Sequence, residues 1–272
     1  MLITKSALRK IIKEELVKES LFGNLLSRLR RKPSLDRPKD EDLAIYKMQG
    51  MGGHAYLVYN PQVLSHILAE MSPEEVEIEV TMAPDMDMVN RLALKVGAFL
   101  GYMIVRSTKT TTNKPCIPKT YDVAFSGVWP LYRSKGFGEL LYKVVAADLG
   151  MKDDAGMTSD RDASTSMSAA KLWRKLQLSM VPRETEDGND EFDYDKSTAD
   201  PNDDCVLPQE PENAINKSLA LNPTEENEFE LLYKQMIANH KEFTAAVKAK
   251  YGIARPTIDR FLRAATQAEM PL

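Results

Sequence analysis

Between Arg133 and Gly138 the chain reads Arg-Ser-Lys-Gly-Phe-Gly. Two cations and two glycines lie between an apolar run ending at Pro130 and an amphipathic stretch starting at Glu139. Glycine lets the backbone turn sharply and leaves no side chain where an incoming group must come close. The first amides of a helix have no partner within it, and the helix dipole favours negative charge there. The N–H groups of Lys135 to Glu139, with Arg133 and Lys135 beside them, therefore suit an anion, and a pyrophosphate is the natural guest. The order of residues departs from a P-loop, because the lysine precedes the glycine and no Lys-Ser/Thr follows. Two glycines also fall short of the dinucleotide fingerprint. A plain strand-to-helix turn would use the same residues.

The elements that must hold this turn are legible around it. Tyr121 to Trp129 is apolar and stops at a proline, as a central strand would. Glu139 to Leu149 spaces Leu140, Leu141, Val144, Val145 and Leu149 to bury one side of a helix. Ala155 to Ser159 reads as a short strand, and Met167 to Leu176 as a second helix with Leu172, Trp173 and Leu176 inward. Upstream, Ala55 to Asn60 and Val76 to Met82 read as strands, with a helix over Gln62 to Met71 between them. Arg91 to Val96 and Leu100 to Arg106 are expected to form a hairpin joined at Gly97-Ala98. Ser107 to Lys119 is a polar loop, and Cys205 to Leu207 a further short strand. Asn222-Pro223-Thr224-Glu225 is a helix start with a capping side chain, proline in the first turn and an acid after it. The stripe Phe229, Leu232, Met236, Phe243 and Val247 continues that helix to near Gly252, and Pro256 opens a last short helix.

The chain has 272 residues, 43% hydrophobic and 28% charged, with a formal net charge of −4. Those figures fit one large globular domain with appendages and give no global case for nucleic acid. Charge is unevenly placed. Residues 1–39 carry eleven Lys and Arg against four Asp and Glu, and residues 184–204 carry ten acids and one lysine. Residues 6–22 read as an amphipathic helix capped by Ser6, followed by the basic run Arg28 to Lys32 and a linker at Pro33 and Pro38. Residues 184–204 read as a solvated acidic loop. Cys116 and Cys205 lack metal-ligand spacing, and His54, His66 and His240 are scattered, so no metal site is expected and a reducing compartment is. The opening residues lack the apolar run of a secretion signal, and no apolar segment is long enough to span a bilayer, so no membrane association is expected.

The order strand, proline, basic glycine turn, helix, short strand, helix resembles the GNAT acetyltransferase superfamily. The turn Arg133-Ser134-Lys135-Gly136-Phe137-Gly138 is similar to that family's Arg/Gln-x-x-Gly-x-Gly/Ala signature. Val128 to Tyr132 is similar to its lead-in, Leu100-Gly101-Tyr102 to its third strand, and Ser166 to Leu176 to its second helix. The resemblance covers roughly residues 40–210 and implies an α+β fold: a mixed, mostly antiparallel sheet flanked by helices. An N-terminal helical arm (1–39) and a C-terminal helical extension (211–272) would flank it. It further implies acetyl-CoA as cosubstrate, with the pyrophosphate on Arg133, Ser134, Lys135, Gly136, Phe137, Gly138 and Glu139. Gly127 and Val128 would pair through their backbone with the pantetheine arm between splayed strands, and Ser166 would add a contact. Acetyl transfer needs a base for the ammonium and an acid for the leaving thiolate. The family's frequent tyrosine acid is replaced here by Trp173, which leaves Asp160, Tyr132 and Asp122 as catalytic candidates. Each also has a purely structural reading, as a turn carboxylate, a half-buried tyrosine and a strand-start charge.

The stretch Ile3 to Leu16 resembles the N-termini of assorted proteins of large tailed phages. That implies a phage-encoded protein in the host cytoplasm or associated with the virion. Two functions follow. One is an acetyl-CoA-dependent N-acetyltransferase acting on an amine or protein acceptor. The other is a non-catalytic virion or interaction protein on the same fold, docking on a virion or host protein through its basic N-terminal helix and its C-terminal helices. A basic arm touching nucleic acid is a weaker third reading, with steep salt dependence as its mark.

Overall fold

The computed structural model describes residues 37–50, 53–71, 97–107, 119–160, 165–183, 214–215 and 217–267, with side chains to 263. The expected helix over 6–22, the strands at 76–82, 91–96 and 205–207, and the acidic loop lie outside the described residues. The chain divides into two compact units: residues 37–61 with 99–242, and residues 1–36 with 62–98 and 243–272.

The first unit is built on a seven-stranded sheet. Its strands are β1 (Ala44–Gly50), β2 (Gly53–Tyr59), β3 (Phe99–Ser107), β4 (Thr120–Val128), β5 (Gly156–Ser159), β6 (Met180–Pro182) and β7 (Leu219–Leu221). They lie in the order β1-β2-β3-β4-β5-β7-β6. Every pairing is antiparallel except β4 with β5. The helices are α1 (Pro61–Ala69), α2 (Phe137–Asp153), α3 (Met167–Ser179), α4 (Pro223–Tyr251) and α5 (Arg255–Gln267). A mixed, mostly antiparallel sheet with helices is thus the observed α+β architecture. Of the expected hairpin, only the half from Leu100 to Arg106 lies among the described residues. Both edges of β3 are filled, by β2 from further up the chain and by β4.

β3 is rich in aromatic and branched residues and buries Phe99 to Met103 and Val105, as the middle of a sheet requires. Its register with β4 slips between Ile104 and Val105, so Ala124 is bulged out of the ladder. The bulge reverses which face each residue meets. Before it, Tyr121 reaches Asp153 on α2 at 3.3 Å; after it, Ser126 meets Tyr142 on α2 at 2.9 Å. Asp122 and Phe125 therefore share the opposite face, where Arg106 and Tyr102 of β3 lie against them.

α2 is the central helix. Every residue from Leu140 to Leu149 is buried, Lys143 and Asp148 included. It closes with Asp154 in the left-handed region (φ 47°), whose N–H bonds Gly150 O while Ala155 N–H bonds Leu149 O. α4 joins the same unit through Tyr233, Met236 and His240, all buried. His240 Nδ1 lies 2.9 Å from the Tyr59 hydroxyl, and its ring lies 5.3 Å from that of Tyr46.

In the second unit α1 buries Leu64, Ile67 and Leu68, and α5 buries Ile258, Phe261 and Leu262 at helical spacing. The Tyr251 hydroxyl donates to Leu68 O at 2.8 Å.

Candidate functional site

The turn and the strand before it form one feature. β4 pairs with β5 only over Thr120 to Val123, against Gly156 to Ser159. From Ala124 to Val128 the β5 side of β4 has no strand partner among the described residues. Parallel strands that part in this way leave main-chain donors and acceptors facing a slot.

At the end of that open edge the chain turns. Trp129 N–H donates to Leu100 O on β3 at 2.9 Å. Across a trans peptide the carbonyl points opposite to the amide hydrogen, so Val128 C=O faces the slot. There it accepts from Arg133 Nε at 3.1 Å. Arg133 thus occupies a carbonyl expected to serve a bound pantetheine. A short 3-10 turn, Pro130–Tyr132, follows. Ser134 (φ 61°) and Gly136 (φ 86°) are both left-handed, and Gly136 is the N-cap of α2 with no capping side chain.

The first bond inside α2 runs from Leu140 N–H to Gly136 O at 3.1 Å. The N–H groups of Ser134, Gly136, Phe137, Gly138 and Glu139 donate to no acceptor among the described residues. Left-handed residues beside a helix start curve successive amides into a concavity that fits an anion. The Lys135 ammonium lies 5.6 Å from the Tyr132 ring, and the Arg37 guanidinium 5.1 Å from that of Phe137. Tyr132 and Phe137 meet edge to face at 5.2 Å, so the aromatic pair beneath the turn carries a cation on each ring. The sequence reading assigned Arg37 to the basic arm; only the fold brings it here.

The two glycines of the turn differ. A Cβ at Gly136 would meet nothing, yet its backbone angle is one that L-residues resist. A Cβ at Gly138 would find ordinary contacts, 3.5 Å from Leu172 and 4.0 Å from Val128. Packing therefore does not require glycine at 138. It does at Gly127, where a Cβ would come within 2.8 Å of the Tyr102 ring. Tyr102 in turn stacks on Phe125 at 5.1 Å and meets Trp129 edge-on at 5.5 Å.

Glu139 places a carboxylate in the first turn of α2, and Lys175 of α3 holds it at 2.6 Å with Lys143 at 3.5 Å. The hydrogen bond from Lys175 keeps its pKa below the ordinary carboxylate value. Ser166 caps α3, its Oγ accepting from Ala169 N–H at 3.2 Å. Trp173 is buried against Tyr142, ring to ring at 4.9 Å and perpendicular. The Tyr142 hydroxyl, bonded to Ser126, is pushed up to about 12 by burial, so it stays protonated as a hydrogen-bonding group.

The three catalytic candidates fall into two places. Tyr132 is buried under the turn, and burial raises its pKa. Asp122 and Asp160 converge on Arg106 of β3. Arg106 Nε donates to both Asp122 oxygens at 3.0 and 3.2 Å, and a terminal nitrogen donates to Asp160 Oδ1 at 2.6 Å. No local pattern marks Arg106, because its partners lie 16 and 54 residues away and meet it only through strand register.

A second polar cluster surrounds Asp148 at the far end of α2. Lys47 Nζ at 2.5 Å and the Tyr56 hydroxyl at 2.7 Å donate to its Oδ2. Lys152 Nζ approaches Oδ1 to 2.7 Å as an ion pair without hydrogen-bond alignment. Burial alone would raise the Asp148 pKa, but its cationic and tyrosyl partners overcome that and hold it below the ordinary value. Among the described residues no group of three or more His, Cys, Asp or Glu is arranged to hold a metal. No helix among them is long and apolar enough to cross a membrane. No protein-family model, curated protein or solved structure matches the chain.

Proposed function

We propose that the chain is an acetyl-CoA-dependent N-acetyltransferase. The observation that carries this reading is the continuity of a β4 edge that has no strand partner among the described residues with a concavity of five amides, at the head of α2, that donate to none of them. A coenzyme A molecule has the matching order of parts: an amide-bearing arm to lie along a strand edge and a pyrophosphate to sit on a helix start. A Cβ at Gly136 would meet nothing, so the ground beside the amides is open there. Arg133, Lys135 and Arg37 supply positive charge at the same end.

In the reaction the acceptor amine attacks the thioester carbonyl, a C–N bond forms and the C–S bond breaks. The amine gives up a proton and the departing thiolate gains one. Tyr132, kept protonated by burial, suits donation towards developing negative charge, and Asp160 and Asp122 suit the ammonium side. Trp173 takes no part, being core.

The test is calorimetric titration with coenzyme A, followed by release of free thiol from acetyl-CoA against a panel of amines. Binding is expected in the wild type and is expected to vanish in Gly136→Glu, whose carboxylate would enter the anion site. No binding at millimolar coenzyme overturns the proposal. Binding without thiol release for any amine or basic peptide would leave a coenzyme-binding protein and remove the enzyme.

A further inference from the structure

The slot between β4 and β5 has a definite apex, since the last paired residues are Val123 and Ser159. One guanidinium stands at that apex. Arg106 lies opposite Asp122 in the β3–β4 register, binds both of its oxygens, and reaches across β4 to Asp160, the residue after Ser159. A single side chain therefore ties together three strands where two of them part. The Asp122 side chain is 3% exposed, that of Asp160 12% and that of Arg106 26%. In such a setting charge-assisted bonds hold geometry well, and the rigid planar fork presents separate nitrogens to the two carboxylates.

We infer that Arg106 is a positioning residue that fixes how far β5 stands from β4 at the start of the slot. What fills the slot rests on the acetyl-CoA reading; the clamp itself rests on geometry. Main-chain groups bind a ligand amide only within a narrow range of distances. A strand end displaced by an ångström would misplace every contact from Ala124 to Val128. Arg106 acts through the strands and through the two carboxylates that it binds.

Removing the whole guanidinium would leave two buried carboxylates uncompensated and would endanger folding. The informative variants are Asp160→Asn, which turns the arm to β5 from an ion pair into a neutral hydrogen bond, and Arg106→Lys, whose single nitrogen cannot repeat the paired bonds to Asp122 and the bond to Asp160 in the guanidinium's geometry. Two measurements are made: calorimetric affinity for coenzyme A, and hydrogen exchange of residues 156–160 in the free protein. Both variants are expected to keep the wild-type circular dichroism. Both should lose affinity on the order of tenfold and exchange faster at 156–160, with the β3–β4 ladder unchanged. Folded variants that bind within twofold of wild type overturn the positioning role. If the wild type itself binds no coenzyme, the acetyl-CoA reading falls, and exchange still decides the clamp: unaltered protection at 156–160 overturns it.

Discussion

Gly136 and Gly138 separate a backbone requirement from a ligand requirement. Gly136→Ala places a side chain at a left-handed angle and is expected to cost about 1–2 kcal/mol, read as a lower denaturation midpoint. Gly138→Ala meets only ordinary contacts, and in a helix it should be neutral or stabilising by about 0.4–1 kcal/mol. Its methyl nevertheless stands at the head of α2, between Leu172 and the end of β4 at Val128. The expected outcome is a protein at least as stable as wild type that binds coenzyme A several-fold more weakly. Thermal denaturation and calorimetry on the same sample check both halves. A Gly138→Ala protein that binds as tightly as wild type would place the ligand elsewhere.

At the scale of elements, α2 carries a different chemistry at each end. Its N-terminal turn is left bare, whereas its last turns are dense with charge around Asp148. Asp148→Asn removes the charge that Lys47 and Lys152 answer, and should destabilise by about 3–5 kcal/mol in urea denaturation. The pH dependence follows from two depressed values. Asp148 has a folded pKa below its ordinary 3.8, so its contribution is full above that value and disappears as pH falls through the folded pKa. His54 is depressed below 6.5 by burial, and its Nδ1 is buried without a partner. Folding therefore favours the neutral ring, and stability declines as pH drops from 6.5 through the folded value. Replacing His54 by Gln should flatten that limb while leaving the acid limb below pH 4 in place. Urea midpoints measured between pH 3 and 8 test this; an unchanged slope between pH 5 and 6.5 in the variant removes His54 as its cause.

The same two ends of α2 explain what could be read in advance. Strand, turn and helix from Tyr121 to Leu149 announce themselves through local signals: an apolar run, a proline, glycines and helical periodicity. So does Asn222-Pro223 as a helix start. β1 was missed because Lys47 breaks its apolar alternation, and Lys47 points inward only because Asp148, 101 residues away, receives it. β6 and β7 are three residues each, below the length at which periodicity speaks, and become strands through pairing with each other. The Arg106 cluster was illegible for a related reason. A bulge at Ala124 sets which face Asp122 occupies, and no local pattern marks a bulge.

For the whole molecule, the C-terminal segment is not an appendage laid on a finished domain. It supplies β7 to the sheet, and α4 then returns to α2. Lys143, buried on α2, bonds Glu225 at 2.9 and 3.1 Å and lies 5.2 Å from the Phe229 ring. Asn239 donates to the carbonyls of Glu41 and Leu43 beside β1, at 2.8 and 2.7 Å. One helix thus ties the first residues of the sheet unit to its central helix. A chain ending at Leu221 would expose the apolar surface that Tyr233 and Met236 cover and leave Lys143 with only the longer Glu139 contact, at 3.5 Å. It should lose near-ultraviolet dichroism and bind a hydrophobic dye, the marks of a loosened core. A chain ending at Glu242 keeps the part of α4 that belongs to this unit. It should retain a cooperative transition and coenzyme affinity within a few-fold of full length. A docking extension, the role that a detachable C-terminal helix would serve, predicts the opposite for the shorter chain: an unchanged transition and a lost partner. The dichroism of the chain ending at Leu221 decides between them, because a helix that completes the core cannot be removed without softening it.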